Sequence, residues 1–235
     1  MPSFLEDITP FYGTGELNGA GQSLDEFLEA YDPYRYKTPS CTTDAVVFSC
    51  MGELKPSLEG LKILLVKRSN HPTIGFWALP GGFIELKENL DDTARRELME
   101  ETGVEDLAME QIGVYGDYDR DPRARVITTA YMALVDERDV RVKAGDDAAD
   151  AVWCDISMEE SADAAGDEDG DTSRRRYILH IVNQEKGLDT TAEVLHTLRK
   201  GLIREEKFTV EKRGMIAADH AAIMAQAVTI LRGRL

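Results

Sequence analysis

Three glutamates, Glu97, Glu100 and Glu101, stand at i, i+3 and i+4, a spacing that brings all three carboxylates to one face of a helix. Clustered carboxylates repel one another and destabilise the fold unless a cation neutralises them. Hard oxygen donors on a rigid element, with room for water and phosphate oxygens, suit Mg²⁺ or Mn²⁺. The helix that carries them has its own boundary signals. Asn89 stands where an N-cap belongs, Asp91 and Asp92 put negative charge at the positive end of the helix dipole, and Gly103 supplies a left-handed residue to end it. On the other side Leu90, Ala94 and Leu98 recur every four residues and predict a buried stripe. Just upstream, Gly81-Gly82 lets the backbone approach a ligand closely and leaves carbonyls free to coordinate. A solvated acidic face explains the carboxylates, but neither the paired glycines nor the arginine at 96.

From Gly82 the chain runs five residues to Glu88 and seven more to Arg96-Glu97-Leu98-Met99-Glu100-Glu101-Thr102-Gly103-Val104. This resembles the Nudix box at every specified position. The resemblance implies an α/β fold, a Nudix-type α/β/α sandwich with a mixed β-sheet, and Mg²⁺- or Mn²⁺-dependent hydrolysis of phosphoanhydride bonds. Carried over residue by residue, Glu97, Glu100, Glu101 and the Gly81 carbonyl are the metal ligands. Arg96 and Glu88 belong to the same catalytic set, as an ion pair that holds the box together. Some members of the family use a further glutamate downstream, for which Glu159 and Glu160 are candidates.

The stretch Asp119-Arg120-Asp121-Pro122-Arg123-Ala124-Arg125 is an electropositive spot suited to phosphate. Spacing alone leaves open a solvated turn whose arginines pair with nearby acids. An Arg-Asp-Pro-Arg loop before a strand is, however, similar to ADP-ribose pyrophosphatases and to Nudix-related regulators of NAD metabolism. Arg123 is therefore the first expected substrate-phosphate contact and Arg68 the second. Phe76 is a candidate to stack on a substrate base, although aromatics beside a strand more often belong to a core. The leading expectation is hydrolysis of a nucleoside diphosphate linked to another moiety, with ADP-ribose giving AMP and ribose 5-phosphate. The alternatives are an ADP-ribose-sensing transcription regulator and a hydrolase of oxidised nucleoside triphosphates.

The elements that position these residues follow from pattern. Apolar runs at Thr43–Met51 and Leu61–Arg68 predict a hairpin. Strands are expected at Met109–Tyr118, Val126–Val135, Ala148–Ile156 and Tyr177–Val182, then a hairpin through Thr190–Arg199 into Phe208–Val210, closed by a helix at Ile216–Arg232. Asp219-His220 reads as a capping acid and a structural histidine. Residues 1–38 form an arm with a short helix capped by Ser23, and residues 39–235 the main domain, with a flexible acidic loop at 157–173. Across all 235 residues the formal charge is −17, which disfavours nonspecific binding of nucleic acid or an anionic membrane; the partner that the resemblance implies is a small-molecule nucleotide, for which metal ions and a few arginines must offset that field locally. Residues 174–213 depart from this, with ten Lys or Arg against six Asp or Glu. The odd, widely spaced Cys41, Cys50 and Cys154, and the lack of a signal-like start, point to the cytoplasm. The resemblance also allows a homodimer.

Overall fold

The computed structural model describes residues 4–138, 140, 142–143, 148–161, 167–169 and 171–235. The chain forms two compact units, Met1–Pro39 and Ser40–Leu235. The first holds a 3₁₀ turn at Thr9–Phe11 and helix α1 (Leu24–Ala30). The Glu26 amide donates to the Ser23 hydroxyl, and the Ser23 amide donates to the Glu26 carboxylate at 2.8 Å, so α1 starts with a reciprocal capping box.

The second unit runs β1 (Ser40–Cys50), β2 (Lys62–Arg68), β3 (Trp77–Ala78), β4 (Gly81–Phe83), α2 (Leu90–Thr102), β5 (Glu110–Tyr115) and β6 (Val126–Asp136). It continues with β7 (Ala148–Glu160), β8 (Asp167–Asp169), β9 (Thr172–Asn183), β10 (Leu188–Arg199), β11 (Glu205–Lys212) and α3 (His220–Arg232). The strands make one mixed sheet ordered β11-β10-β9-β7-β2-β1-β6-β5, with β3 beside β2, β4 beside β1 and β8 beside β9. β1 and β6 run parallel along the whole of β1, whereas β1 and β2 form the expected antiparallel hairpin.

β1 is apolar at successive positions because both of its faces are buried. Val46 and Phe48, with Ile63 and Leu65 of β2, share a core with Ile223 and Met224 of α3. Ala45, Val47 and Leu64 pack on the other side with Leu98 of α2 and Val104. One helix thus covers each face, which is the α/β/α arrangement. No helix among the described residues is long and apolar enough to cross a membrane.

Three local expectations change. In α2, Leu90 is 38% exposed, and the buried positions are Thr93, Ala94, Leu98 and Thr102. Thr93 is accepted inside because its hydroxyl donates to Glu88 at 2.6 Å. Asn89 occupies the N-cap, but its amide donates to Asp92 and no helix N–H reaches its side chain. The third change concerns the acidic segment, of which residues 162–166 and 170 lie outside the described residues. Ser157–Glu160 extend β7 along Tyr177–His180 of β9, and Asp167–Asp169 pair as a strand with Thr172–Arg174 at the start of β9. Glu160 sits 3.8 Å from Arg175 in that pairing.

Candidate metal and diphosphate site

β4 lies antiparallel to β1, with Asp44 opposite Gly81 and Thr43 opposite Gly82. The two glycines are demanded by closeness. A Cβ on Gly81 would run into the Thr43 carbonyl oxygen, and one on Gly82 into the Glu97 carboxylate. The box helix is therefore packed directly on the glycine loop. The Gly81 amide donates to Glu101 Oε2 at 2.9 Å, and α2 ends at Gly103 with φ 71°, as its sequence predicts.

Arg96 organises the remaining carboxylates. Its Nε and one terminal nitrogen each donate to Glu88 at 2.9 Å, a bidentate fork, while the other terminal nitrogen reaches Glu97 at 2.7 Å and Glu100 at 3.1 Å. A further bond to the Phe83 carbonyl, at 3.1 Å, ties the loop to the helix. The bonds from Arg96 and Thr93 hold the Glu88 carboxyl down at about 2. Burial has the opposite effect on the inner pair: it raises the Glu97 carboxyl despite Arg96, and pushes Glu101 up to about 7, with Glu97 and Asp44 adding like charge. Because Arg96 draws Glu97 and Glu100 while Gly81 holds Glu101, no three His, Cys, Asp or Glu among the described residues converge on one point. The donors nevertheless fit a hard divalent cation. Glu97 and Glu101 are half-buried and Glu100 is exposed; all are oxygen-bearing and mutually repelling, so each gains from a positive charge placed among them.

Gly81, Gly82, Glu97 and Glu101 line a cleft of ≈ 1110 Å³. Arg68 and Arg123, both expected at the site, line it too; Glu88, Arg96 and Glu100 do not. Arg68 donates from Nε to the Pro72 carbonyl at 2.8 Å, leaving its terminal nitrogens available. Arg123 is committed: its guanidinium forks onto Asp121 at 2.8 and 3.1 Å and lies 5.4 Å from the Phe83 ring centre. The expectation for Phe76 is corrected. It stands outside the cleft lining and packs with Val66, Ala78, Ala151 and Ala217, because it flanks β3 in the sheet. Phe83 is the aromatic side chain beside the glycine loop. Glu159 and Glu160, at the far end of β7, do not line the cleft either.

The floor of the cleft holds a buried ionic cluster that pattern reading missed. Asp44, only 7% exposed, accepts from the Thr128 hydroxyl at 2.7 Å and lies 3.7 Å from Arg120. Arg120 forks onto Asp219 with two bonds of 2.8 Å. Asp219 therefore spends its carboxylate on Arg120 and makes no side-chain cap to α3. His220 Nδ1 accepts the Leu79 amide at 2.8 Å, anchoring the strand that leads to Gly81. Its Nε2 lies 3.8 Å from Asp44, so the ring sits between the Leu79 backbone and the buried cluster, a position that suits a structural histidine. One signal was available: Asp44 is an acid set at the head of the apolar run Ala45–Phe48.

A glutamate-faced helix locked onto a Gly-Gly loop, within an α/β/α sandwich, defines a class of diphosphate-directed proteins. Residues 44–176, more than half of the chain, match the NUDIX domain, and the chain belongs to that family. It is 40% identical over 116 residues to the ADPR responsive transcriptional repressor NtrR of Acinetobacter baylyi, covering 48% of this chain and 44% of that relative. It is 44% identical over 96 residues to an ADP-ribose pyrophosphatase of Methanocaldococcus jannaschii, covering 41% of this chain and 56% of the relative. The chain thus spans about half the length of the curated relatives it matches. A MutT/nudix family protein from Enterococcus faecalis, known as a crystal structure, matches 89% of this chain and 70% of its own with a TM-score of 0.61 at 29% identity.

Proposed function

We propose that this chain hydrolyses the phosphoanhydride bond of a nucleoside diphosphate linked to a second moiety, with ADP-ribose as first substrate, giving AMP and ribose 5-phosphate. One observation carries the reading: the half-buried Glu97 and Glu101 carboxylates and the Gly81 backbone share a cleft with Arg68. Similarity to an ADP-ribose pyrophosphatase supports the substrate. Glu97, Glu101, the Gly81 carbonyl and Glu100, once released from Arg96, would hold Mg²⁺ or Mn²⁺. When bound, the ion would shield the diphosphate charge and acidify a water. The Arg96–Glu88 fork positions Glu97 and keeps the glycine loop on the helix. Arg68 would donate its free terminal nitrogens to a phosphate oxygen, whereas Arg123 would first have to leave Asp121. The three free thiols fit a cytoplasmic setting.

The test is Mg²⁺-dependent cleavage of ADP-ribose, NADH, a nucleotide sugar, a diadenosine polyphosphate and 8-oxo-dGTP, with Glu97→Gln beside the parent. Cleavage of ADP-ribose that chelator and Glu97→Gln both remove supports the proposal. Preferential cleavage of 8-oxo-dGTP would transfer it to sanitation of oxidised triphosphates. Gly82→Ala gives a sharper check on the ligand set. Its methyl group displaces the Glu97 carboxylate, and Mn²⁺ affinity read by calorimetry should weaken about 10–100-fold, as when other groups orienting a metal ligand are lost. Unchanged affinity would remove Glu97 from the set.

Similarity to an ADPR responsive repressor supports a second reading, a nucleotide sensor. Among the described residues, 174–213 form strands rather than an arginine-rich recognition helix, and several of their cations pair with acids, as in Arg176–Glu211 and Lys212–Glu193. Tight ADP-ribose binding without cleavage of any substrate would favour the sensor.

A further inference from the structure

The cleft extends beyond the family segment. Phe208, Val210 and Arg213, from β11 and the turn after it, line the same cavity as Glu97 and Glu101. Six cations line it in all, and they divide into two groups. Arg120, Arg123 and Lys207 are each bound to a carboxylate, of Asp219, Asp121 and Asp117 respectively, at 2.8, 2.8 and 3.0 Å. Lys67, Arg68 and Arg213 have no carboxylate within 4.0 Å among the described residues, in a chain with 44 acidic side chains.

The segments that carry these three are joined through β3. The Arg68 amide donates to the Phe76 carbonyl at 2.9 Å, and β3 continues outward to the segment after β11. There the Trp77 amide donates to the Met215 carbonyl at 2.9 Å, and the Ala217 amide to the Trp77 carbonyl at 2.8 Å. β3 is thus a narrow spacer with Lys67 and Arg68 on one side and Arg213 on the other. Aromatic faces hold the two outer cations: the Arg213 guanidinium lies 5.0 Å from the Phe76 ring centre and the Lys67 ammonium 5.7 Å from that of Trp77. Stacking orients a guanidinium without consuming its in-plane donors, which remain free to form a fork with an oxyanion. The segment itself is pinned: the Met215 amide donates to the Thr190 hydroxyl at 2.9 Å, and a Cβ on Gly214, at φ 55°, would strike Thr191.

We infer that Arg213, oriented by Phe76, is a phosphate-recognition residue supplied from outside the family segment. It takes an oxygen of the diphosphate, in the role the sequence assigned to Arg123. An arginine already forked to aspartate must lose that partner to bind phosphate; Arg213 must lose only solvent. The inference rests on the reading of the cleft as a diphosphate site.

Metal-free calorimetry, with chelator present, tests it on the full chain with two probes, inorganic pyrophosphate and ADP-ribose. Arg213→Gln is expected to weaken pyrophosphate binding at least 10-fold. Arg213→Lys should fall between it and the parent, and Arg123→Gln should stay within about threefold of the parent. Arg213 is exposed, and thermal melting of each variant verifies folding. The inference is overturned if Arg213→Gln binds pyrophosphate like the parent, if Arg123→Gln loses as much as Arg213→Gln, or if the parent does not bind pyrophosphate. Loss of pyrophosphate binding in Arg213→Gln, in a parent that ignores ADP-ribose, would uphold the inference and reject ADP-ribose alone.

Discussion

Glu101→Gln is expected to yield a protein that, stripped of metal at pH 8, is more stable than its parent and yet has lost metal-dependent hydrolysis by about 100-fold or more. Glutamine keeps the side-chain oxygen that accepts the Gly81 amide and removes only the charge. That charge is the costly part. Burial, with Glu97 and Asp44 nearby, pushes the Glu101 carboxyl up to about 7 from the ordinary 4.5. As pH rises through this window the unfolded chain releases the proton first, so stability falls between roughly pH 4.5 and 7 and stays low above it. The difference is on the order of 3 kcal/mol, which should raise the melting temperature of the variant by roughly 5 °C or more. Melting in chelator at pH 8 and pH 4.5 reads the effect, and the gap between variant and parent should close at the lower pH. A variant less stable than the parent at pH 8 would mean that the carboxylate helps hold the metal-free fold.

Arg120→Met should produce the opposite outcome, a large loss of stability at any pH where the aspartates are ionised. Arg120 is 6% exposed and sits between Asp219, forked to it, and Asp44 at 3.7 Å. Removing one member of a buried ion cluster leaves the other charges unpaired in a poor solvent, at a cost of about 3–5 kcal/mol. Thr128 still donates to Asp44, so Asp219 is left worse off, and Arg120→Met combined with Asp219→Leu should regain part of the loss. Urea unfolding of the single and double variants measures both. A cost below about 1 kcal/mol for Arg120→Met would show that the cluster is not a support of the fold.

The contrast between these two sites explains what could be read from the chain alone. The box helix and its carboxylates were legible because helical spacing and termination are local properties, and Gly81-Gly82 marks a close approach that the neighbouring Glu97 enforces. β1, β2 and β6 were legible because burial on both faces produces unbroken apolar runs. The Asp44–Arg120–Asp219 cluster was not, since its members lie far apart in sequence and meet only through topology. For the same reason the loop arginines were ranked by position, although availability depends on which carboxylates fold beside them: Arg123 meets Asp121 two residues away, and Arg213 meets none among those described. Phe76 packs in the core, the commoner place for an aromatic beside a strand, and aromatic character alone does not reveal which side of a short strand faces a cavity. The extended β7 was missed because its partner, Tyr177–His180 of β9, lies beyond an acidic stretch that composition alone reads as a loop.

The two-sided burial of β1 also sets an order of assembly. The face of β1 that carries Val46 and Phe48 is covered by α3, which ends at Arg232, some 180 residues later. At ribosomal speeds of about 5–20 residues per second, that face waits on the order of 10–40 s for its cover while the other face can already close on α2. During synthesis the chain is therefore a half-roofed sheet, with a sticky underside that grows as β9 and β10 add Leu179, Ile181 and Val194 to it. Conditions that slow translation past residue 183 should lengthen this vulnerable interval and raise the demand for chaperones that shield apolar surface, even though the finished protein gives no hint of the hazard.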